Sequence, residues 1–349
     1  MNRLRRSLLT LVGLKLVGGA ALSVSARAFA QPFRILSDGD GPGSTPTGEQ
    51  TSSELQHALA GIAPGPAMTQ GALSVIWLEA REAPSRAPLR IATLDEARAA
   101  SALTVTERPQ ASVPELIAEN RGKAYVLLLA GEILIGGKQN RVLREDLLLP
   151  PLSGPRNVAV YCVEQGRWNE SRKDFESRSS VVQPRVRSEV LGKASQSRIW
   201  SGIAAASRDL RAPSPTGSYQ AIYDKPEVKA HLDTATRRMD PSGTPRASGA
   251  AVFAGARLAG VDCFESPALF AREWPKLLRA YALDAYGAGA GWDETAARKR
   301  VDGLLGGAAR AQGSRRGNAG VGQLFEFGVE RSRGAALVFE GALVHLAIL

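Results

Sequence analysis

Residues 125–169 read YVLLLAGEILIGGKQNRVLREDLLLPPLSGPRNVAVYCVEQGRWN, and the alternation of their apolar and polar segments decides the fold. Apolar runs of four to six residues bounded by Gly and Pro mark buried strands, being too short for stable helices. Each run ends in a cluster of hydrogen-bonding side chains. Glu132 closes the first. Lys138, Gln139, Asn140 and Arg141 follow the Gly136-Gly137 pair, and Cys162, Glu164, Gln165, Arg167 and Trp168 follow the second long run.

Outward from this stretch, strands are expected at 72–78, 103–107, 125–130, 147–149 and 158–163, with a helix over 94–102 opened by Thr93 and Asp95. Residues 70–168 therefore form a β-rich domain, an antiparallel sandwich or barrel-like unit. Residues 169–349 read as a second, α+β domain of helices packed on an antiparallel sheet. Its first part, to Arg211, is basic and helical, with Pro184 as a helix start. Such a stretch is a solvated face or the flank of an anionic ligand. Helix follows over 199–210 and 226–239, then a loop at 243–247. Residues 251–258 and 337–344 echo each other as strand, Gly turn and strand, two hairpins around a helical segment. That segment starts at Ser266-Pro267, and Pro275 within it implies a kink or a break into two helices.

The amino terminus is read apart from the fold. Arg3, Arg5 and Arg6, the mildly apolar 8–24 and Ala28-Phe29-Ala30 form a signal peptide over 1–30. Arg5-Arg6 before Ser7-Leu8-Leu9 gives it a twin-arginine character, although Leu4 stands where Ser or Thr is usual. Cleavage leaves no stable membrane anchor, makes the mature protein periplasmic or secreted, and removes five positive charges, lowering the formal charge from +10 to +5. Much of the basic character thus belongs to targeting, which removes the case for nucleic acid as a partner. Residues 31–69, rich in Gly, Pro and Ser, read as a flexible linker with one short helix at 53–60, and folded structure is expected from about Gly71.

Three scattered histidines (His57, His231, His345) and two cysteines (Cys162, Cys263) have no zinc spacing. An oxidising compartment permits a Cys162–Cys263 disulfide; two cysteines on apolar strands also read as buried thiols. Gly131 to Lys138 lacks the GxxxxGK[ST] order of a phosphate loop, Gly287 to Gly291 follows a helix rather than a strand, and no GxSxG or HExxH occurs. What remains is the opening constellation. An ammonium, two amides and a guanidinium after a Gly pair suit phosphate, carboxylate or sugar hydroxyls. Glu132 and Glu164 pair as acid and base or as ligands of Mg²⁺; equally, they neutralise Lys138, Arg141 or Arg167 in a structural network.

The strings Leu94-Asp95-Glu96-Ala97, Gly131-Glu132, Gly137-Lys138-Gln139-Asn140-Arg141 and Cys162-Val163-Glu164-Gln165-Gly166-Arg167-Trp168 resemble the ARG and rhodanese/phosphatase-associated protein domain family. So do Ser214-Pro215-Thr216-Gly217, Cys263-Phe264-Glu265-Ser266-Pro267, Trp274-Pro275-Lys276-Leu277-Leu278 and Val344-His345-Leu346, so the resemblance spans about residues 70–349. Here Arg144-Glu145 replaces a common Asn-Thr, and Cys263 an aliphatic residue. The resemblance implies association with ADP-ribosylglycohydrolase and phosphatase-type partners, hence a phosphorylated or ADP-ribose-like small molecule, without a mechanism. Two expectations follow. In one, Lys138, Gln139, Asn140, Arg141, Arg167 and Trp168 hold an anionic small molecule that Glu132 or Glu164 hydrolyses. In the other, the chain is a non-enzymatic envelope binding or interaction module and these residues are structural.

Overall fold

The computed structural model describes residues 49–50, 53–81, 89–108, 113–169, 174–289 and 291–349. The expected signal peptide (1–30) and the expected linker up to residue 48 lie outside the described residues. Two short pieces, β1 (Glu49–Gln50) and α1 (Ser53–Ala60), precede β2 (Ile62–Gln70) and β3 (Leu73–Ala80). Then come β4 (Ile91–Thr93), α2 (Leu94–Ala99), β5 (Leu103–Glu107), β6 (Glu115–Asn120), β7 (Tyr125–Leu128) and β8 (Glu132–Gly136). They are followed by β9 (Arg141–Leu143), β10 (Leu147–Leu149), β11 (Gly154–Cys162) and β12 (Phe175–Val181). The helices α3 (Pro184–Leu191), α4 (Gln196–Asp209), α5 (Gln220–Asp224) and α6 (Pro226–Arg238) lead to the hairpin β13 (Ala247–Ala254) and β14 (Arg257–Phe264). Last are α7 (Pro267–Ala285), α8 (Glu294–Ala309), β15 (Gln312–Arg316), β16 (Gln323–Val329), β17 (Ser332–Phe339) and β18 (Ala342–Ile348).

The fold is α+β, as its patterning requires. A six-stranded antiparallel sheet runs β12-β8-β9-β11-β6-β5, and a bridge between Thr106 and Asp174 brings its two edges together, curling it into a barrel-like unit. Leu103, Val105, Leu116, Ala118, Leu134, Val158, Val160 and Phe175 fill its interior, with Val126, Leu128, Leu147 and Leu149 from the small sheet β10-β7-β4. Thr93 caps α2 reciprocally with Glu96, the box expected from Thr-x-x-Glu.

A nine-stranded antiparallel sheet, β1-β15-β16-β17-β18-β14-β13-β3-β2, forms the second layer. Its strands alternate between two cores with the period of two that a pleated strand imposes. Ile76, Leu78, Ala251, Phe253, Val261 and Cys263 face α1 and α8, whereas Val75, Trp77, Ala250, Val252 and Phe264 face α7. The two hairpins are present, turning at Gly255 and Gly341 in the left-handed region.

Three features depart from expectation. Ile62–Gln70 is a strand rather than linker: it is the edge of the nine-stranded sheet, where Pro64 and Pro66 need no outward partner. This edge pairs with β3, which pairs with β13, so the sheet crosses the expected boundary at 168/169, and Thr45–Leu349 forms one compact unit. α7 runs as one helix through Pro275, so of the expected kink or break into two helices the break does not occur: Leu277, Leu278 and Tyr281 are buried beyond the proline, and tertiary packing outweighs the lost hydrogen bond. Cys162 and Cys263 are separate buried thiols, and no described helix is long and apolar enough to cross a membrane.

Candidate functional site

The KQNR and VEQGRW segments meet at the end of the barrel where β8 turns into β9. Gly136 and Gly137 make this turn at φ of 145° and 51°, and a Cβ on Gly136 would sit 2.3 Å from the Asp174 carbonyl oxygen. Only glycine fits there. The turn presents its carbonyls to Arg167, whose Nη1 donates to Gly137 O (2.8 Å) and Asn169 O (3.0 Å). Its Nη2 donates to Gly136 O (3.2 Å) and Asn140 Oδ1 (3.1 Å), and its Nε to Glu164 Oε2 (2.9 Å).

Glu164 is equally engaged: Oε2 also accepts from Asn140 N (3.1 Å), and Oε1 accepts from the Thr216 hydroxyl (2.8 Å). Burial raises its pKa, but the hydrogen bonds from Arg167, Thr216 and the Asn140 amide outweigh that and hold it below the usual carboxylate value. Asn140 Nδ2 reaches Ser218 Oγ (3.1 Å), tying in the Ser-Pro-Thr-Gly turn. Arg141, fully buried, donates to Gln139 and lies 3.6 Å from Glu107, which accepts the Lys138 amide. The structure thus brings together Gln139, Asn140, Arg141, Glu164 and Arg167. Lys138 is half-buried beside them, and Trp168 is exposed (56%) one residue beyond Arg167.

Glu132 lies elsewhere. It opens β8 whereas Gly136 ends it, which separates the two by about 13 Å along the strand, and its side chain enters a second, fully buried network between the barrel, the nine-stranded sheet and α7. Glu132 accepts the Leu129 amide (2.7 Å) and pairs with Lys276, which also contacts Glu273 (2.7 Å) and Asp95 (3.2 Å). Burial pushes Glu132 up, Lys276 opposes this, and Glu273 and Asp95 add to it. Three carboxyls share one ammonium, so Lys276 keeps its proton and its own pKa rises against burial.

One peptide further along, Ala130 donates to Asp146 Oδ1 (2.8 Å), and Asp146 Oδ2 meets His345 Nδ1 (2.6 Å). His345 Nε2 meets Asp262 Oδ1 (3.0 Å); Asp262 also accepts from Arg187 (2.8 and 3.0 Å) and Tyr281 (2.5 Å). Arg187 Nε bonds the Ala130 carbonyl (2.8 Å), and Gly131, at φ 94°, leaves room where a Cβ would strike the arginine stem at 2.9 Å. Asp146, Arg187, Asp262, Glu273, Lys276, Tyr281 and His345 were not among the expected site residues. The available signal was one or two ionisable residues set within an apolar segment, as in VHLAIL or EWPKLL, whereas Arg187 stands in a basic run.

Three groups here set a pH dependence. Burial lowers the pKa of His345, but Asp146 and Asp262 overcome it and raise it to about 9, from 6.5. That stabilisation is complete below pH 6.5 and is lost as pH rises through 9. Burial raises Asp262, and Arg187 and His345 reverse this to about 2. Its contribution is present above pH 3.8 and is lost as pH falls through 2. Buried Glu132, raised, further penalises the fold above pH 4.5. Thermal melts should peak between about pH 4 and 6.5 and decline towards pH 9; a melting temperature that climbs over pH 6.5–9 would contradict these assignments.

Open space adjoins the first network. A recess of about 280 Å³ is lined by Ile135, Asn140, Glu164, Arg167, Arg178, Ser218, Gln220, Ala221 and Asp224. Arg178 arrives there on a bulge: Ser177 pairs with Leu134 and Val181 with Glu132, so three residues of β12 stand opposite one, with Ser179 at φ 49°. A larger groove of about 410 Å³ lies between the end of α6 and α7, lined by Met239, Pro241, Pro245, Pro267, Trp274 and Pro275 among others. It contains none of the expected site residues. Among the described residues no group of three or more His, Cys, Asp or Glu is placed to hold a metal ion. Glu132 and Glu164 do not converge, so a Mg²⁺ ion shared by both is not what this geometry builds.

The family model for the ARG and Rhodanese-Phosphatase-superfamily-associated Protein domain matches residues 61–349. The chain belongs to this family. Its boundary falls at Gly61, directly before β2, so the family domain comprises the barrel, the nine-stranded sheet apart from its edge strand β1, and all the described helices after α1. No curated protein and no solved structure matches the chain.

Proposed function

We propose that this member of the family is a non-enzymatic binding module that takes a small anionic, phosphate-containing molecule into the Arg178 recess. The observation that carries the reading is the division between spent and unspent groups. Every N–H direction of Arg167 and both oxygens of Glu164 are committed within the frame. A carboxylate held this way is a poor general base, because taking a proton means giving up a hydrogen bond.

Arg178 is different. Its side chain is 49% exposed, and its ion-pair contacts among the described residues are long, 3.5 Å to Glu176 and 4.0 Å to Asp224, so a phosphate can recruit its guanidinium at little cost. Asn140, Ser218 and Gln220 supply amides and a hydroxyl around it. Lys138 and exposed Trp168 border the frame, the latter as a face on which a ring can stack. With the amino-terminal signal acting in export, we place the ligand in the periplasm or outside the cell.

A thermal-shift panel of ADP-ribose, nucleotides and sugar phosphates tests this, since a ligand that binds only the folded state raises the apparent melting temperature. At least one phosphorylated compound should raise it in the wild type and fail to do so in Arg178→Ala. That variant should itself melt within about 0.5 kcal/mol of wild type, as an exposed substitution does. An equal ligand-induced shift in the variant would remove Arg178 from the site, and no shift with any compound would remove the ligand class.

A further inference from the structure

His345 sits on β18 with its ring between two fully buried carboxylates, Nδ1 2.6 Å from Asp146 and Nε2 3.0 Å from Asp262. A neutral imidazole has one donor and one acceptor nitrogen. In that form one ring nitrogen would set its lone pair against a carboxylate oxygen in a dry interior. Placing the missing proton on Asp262 instead would set an O–H among donors, since Arg187 from α3 and Tyr281 from α7 donate to the same carboxylate, and would remove the counter-charge of the buried guanidinium.

The remaining neighbours favour a cation as well. Phe264, on β14, lies against the imidazole with centroids 4.5 Å apart and planes at 35°, an arrangement that stabilises a positive ring. Glu273, on α7, is close enough to respond to the charge of His345. Arg187 is the opposing cation, and its charge is answered by Asp262.

We infer that the folded chain contains a dedicated buried proton site: His345 is an obligate imidazolium, and the bound proton ties the carboxy-terminal strand to the β9–β10 turn through Asp146 and to β14 through Asp262. The proton is a structural ligand here, and its loss in alkaline conditions leaves two buried carboxylates facing one another across a neutral ring. The inference is independent of the recess and its ligand.

The test uses the folded protein carrying His57→Gln and His231→Gln, both away from this cluster, so that His345 is the one remaining imidazole. Long-range ¹H–¹⁵N spectra at pH 8 should show both ring nitrogens protonated, where an ordinary histidine is mostly neutral. One protonated and one bare nitrogen at pH 8 would overturn the inference. A second reading comes from denaturant titrations. One extra proton held by the folded state raises the unfolding equilibrium constant about tenfold per pH unit between pH 7.5 and 8.5. In His345→Gln that dependence should drop by about the same factor; an unchanged dependence would place the proton elsewhere.

Discussion

Asp262→Asn is expected to cost at least about 3–5 kcal/mol of folding stability, the range for removing one partner of a buried ion pair. The side chain volume hardly changes, so the loss is electrostatic. Asp262 accepts from Arg187, Tyr281 and His345, and the amide would turn donors towards donors while leaving the buried guanidinium without its counter-charge. Urea denaturation at pH 6, where the wild type is near its most stable, is the measurement. A change below about 1 kcal/mol would show that this network does not hold the barrel to the nine-stranded sheet.

Lys276→Met should be nearly as damaging, by about 3–5 kcal/mol at pH 8, because Glu132 and Glu273 lose the one ammonium they share. Its cost should shrink at pH 5. Both carboxyls are already pushed towards the protonated form by burial, and without Lys276 nothing opposes it. Adding Glu132→Gln to Lys276→Met should recover part of the loss at pH 8, a coupling that a double-mutant cycle reads directly. Equal cost of Lys276→Met at pH 5 and pH 8 would contradict this picture of the cluster.

The strands in 125–163 were legible because short apolar runs between Gly and Pro leave few alternatives, and so were the two hairpins with their glycine turns. β12 was not. FESRSSV is polar, and its bulge breaks the period of two, so it reads as part of a basic helical stretch. β2 was hidden by Pro64, Gly65 and Pro66, which are tolerated because the strand is an edge. At the site, the frame of Asn140, Glu164 and Arg167 was visible as an unusual density of polar groups. The partners of Glu132 were not, because Lys276 stands 144 positions away in the chain and periodicity carries no information about which buried charge meets which. For the same reason Arg187, inside a basic run that reads as solvated, proved to be a core residue.

KQNR and VEQGRW form a frame, and on this reading the recess beside it binds without reacting. ³¹P spectra of ADP-ribose incubated with the wild-type protein and Mg²⁺ examine both halves at once. Broadened or shifted phosphorus lines are expected in the presence of protein, with no new resonances over time and no broadening with Arg178→Ala. New phosphorus resonances that accumulate with wild type and vanish in Glu164→Gln would contradict it and make the site an active one.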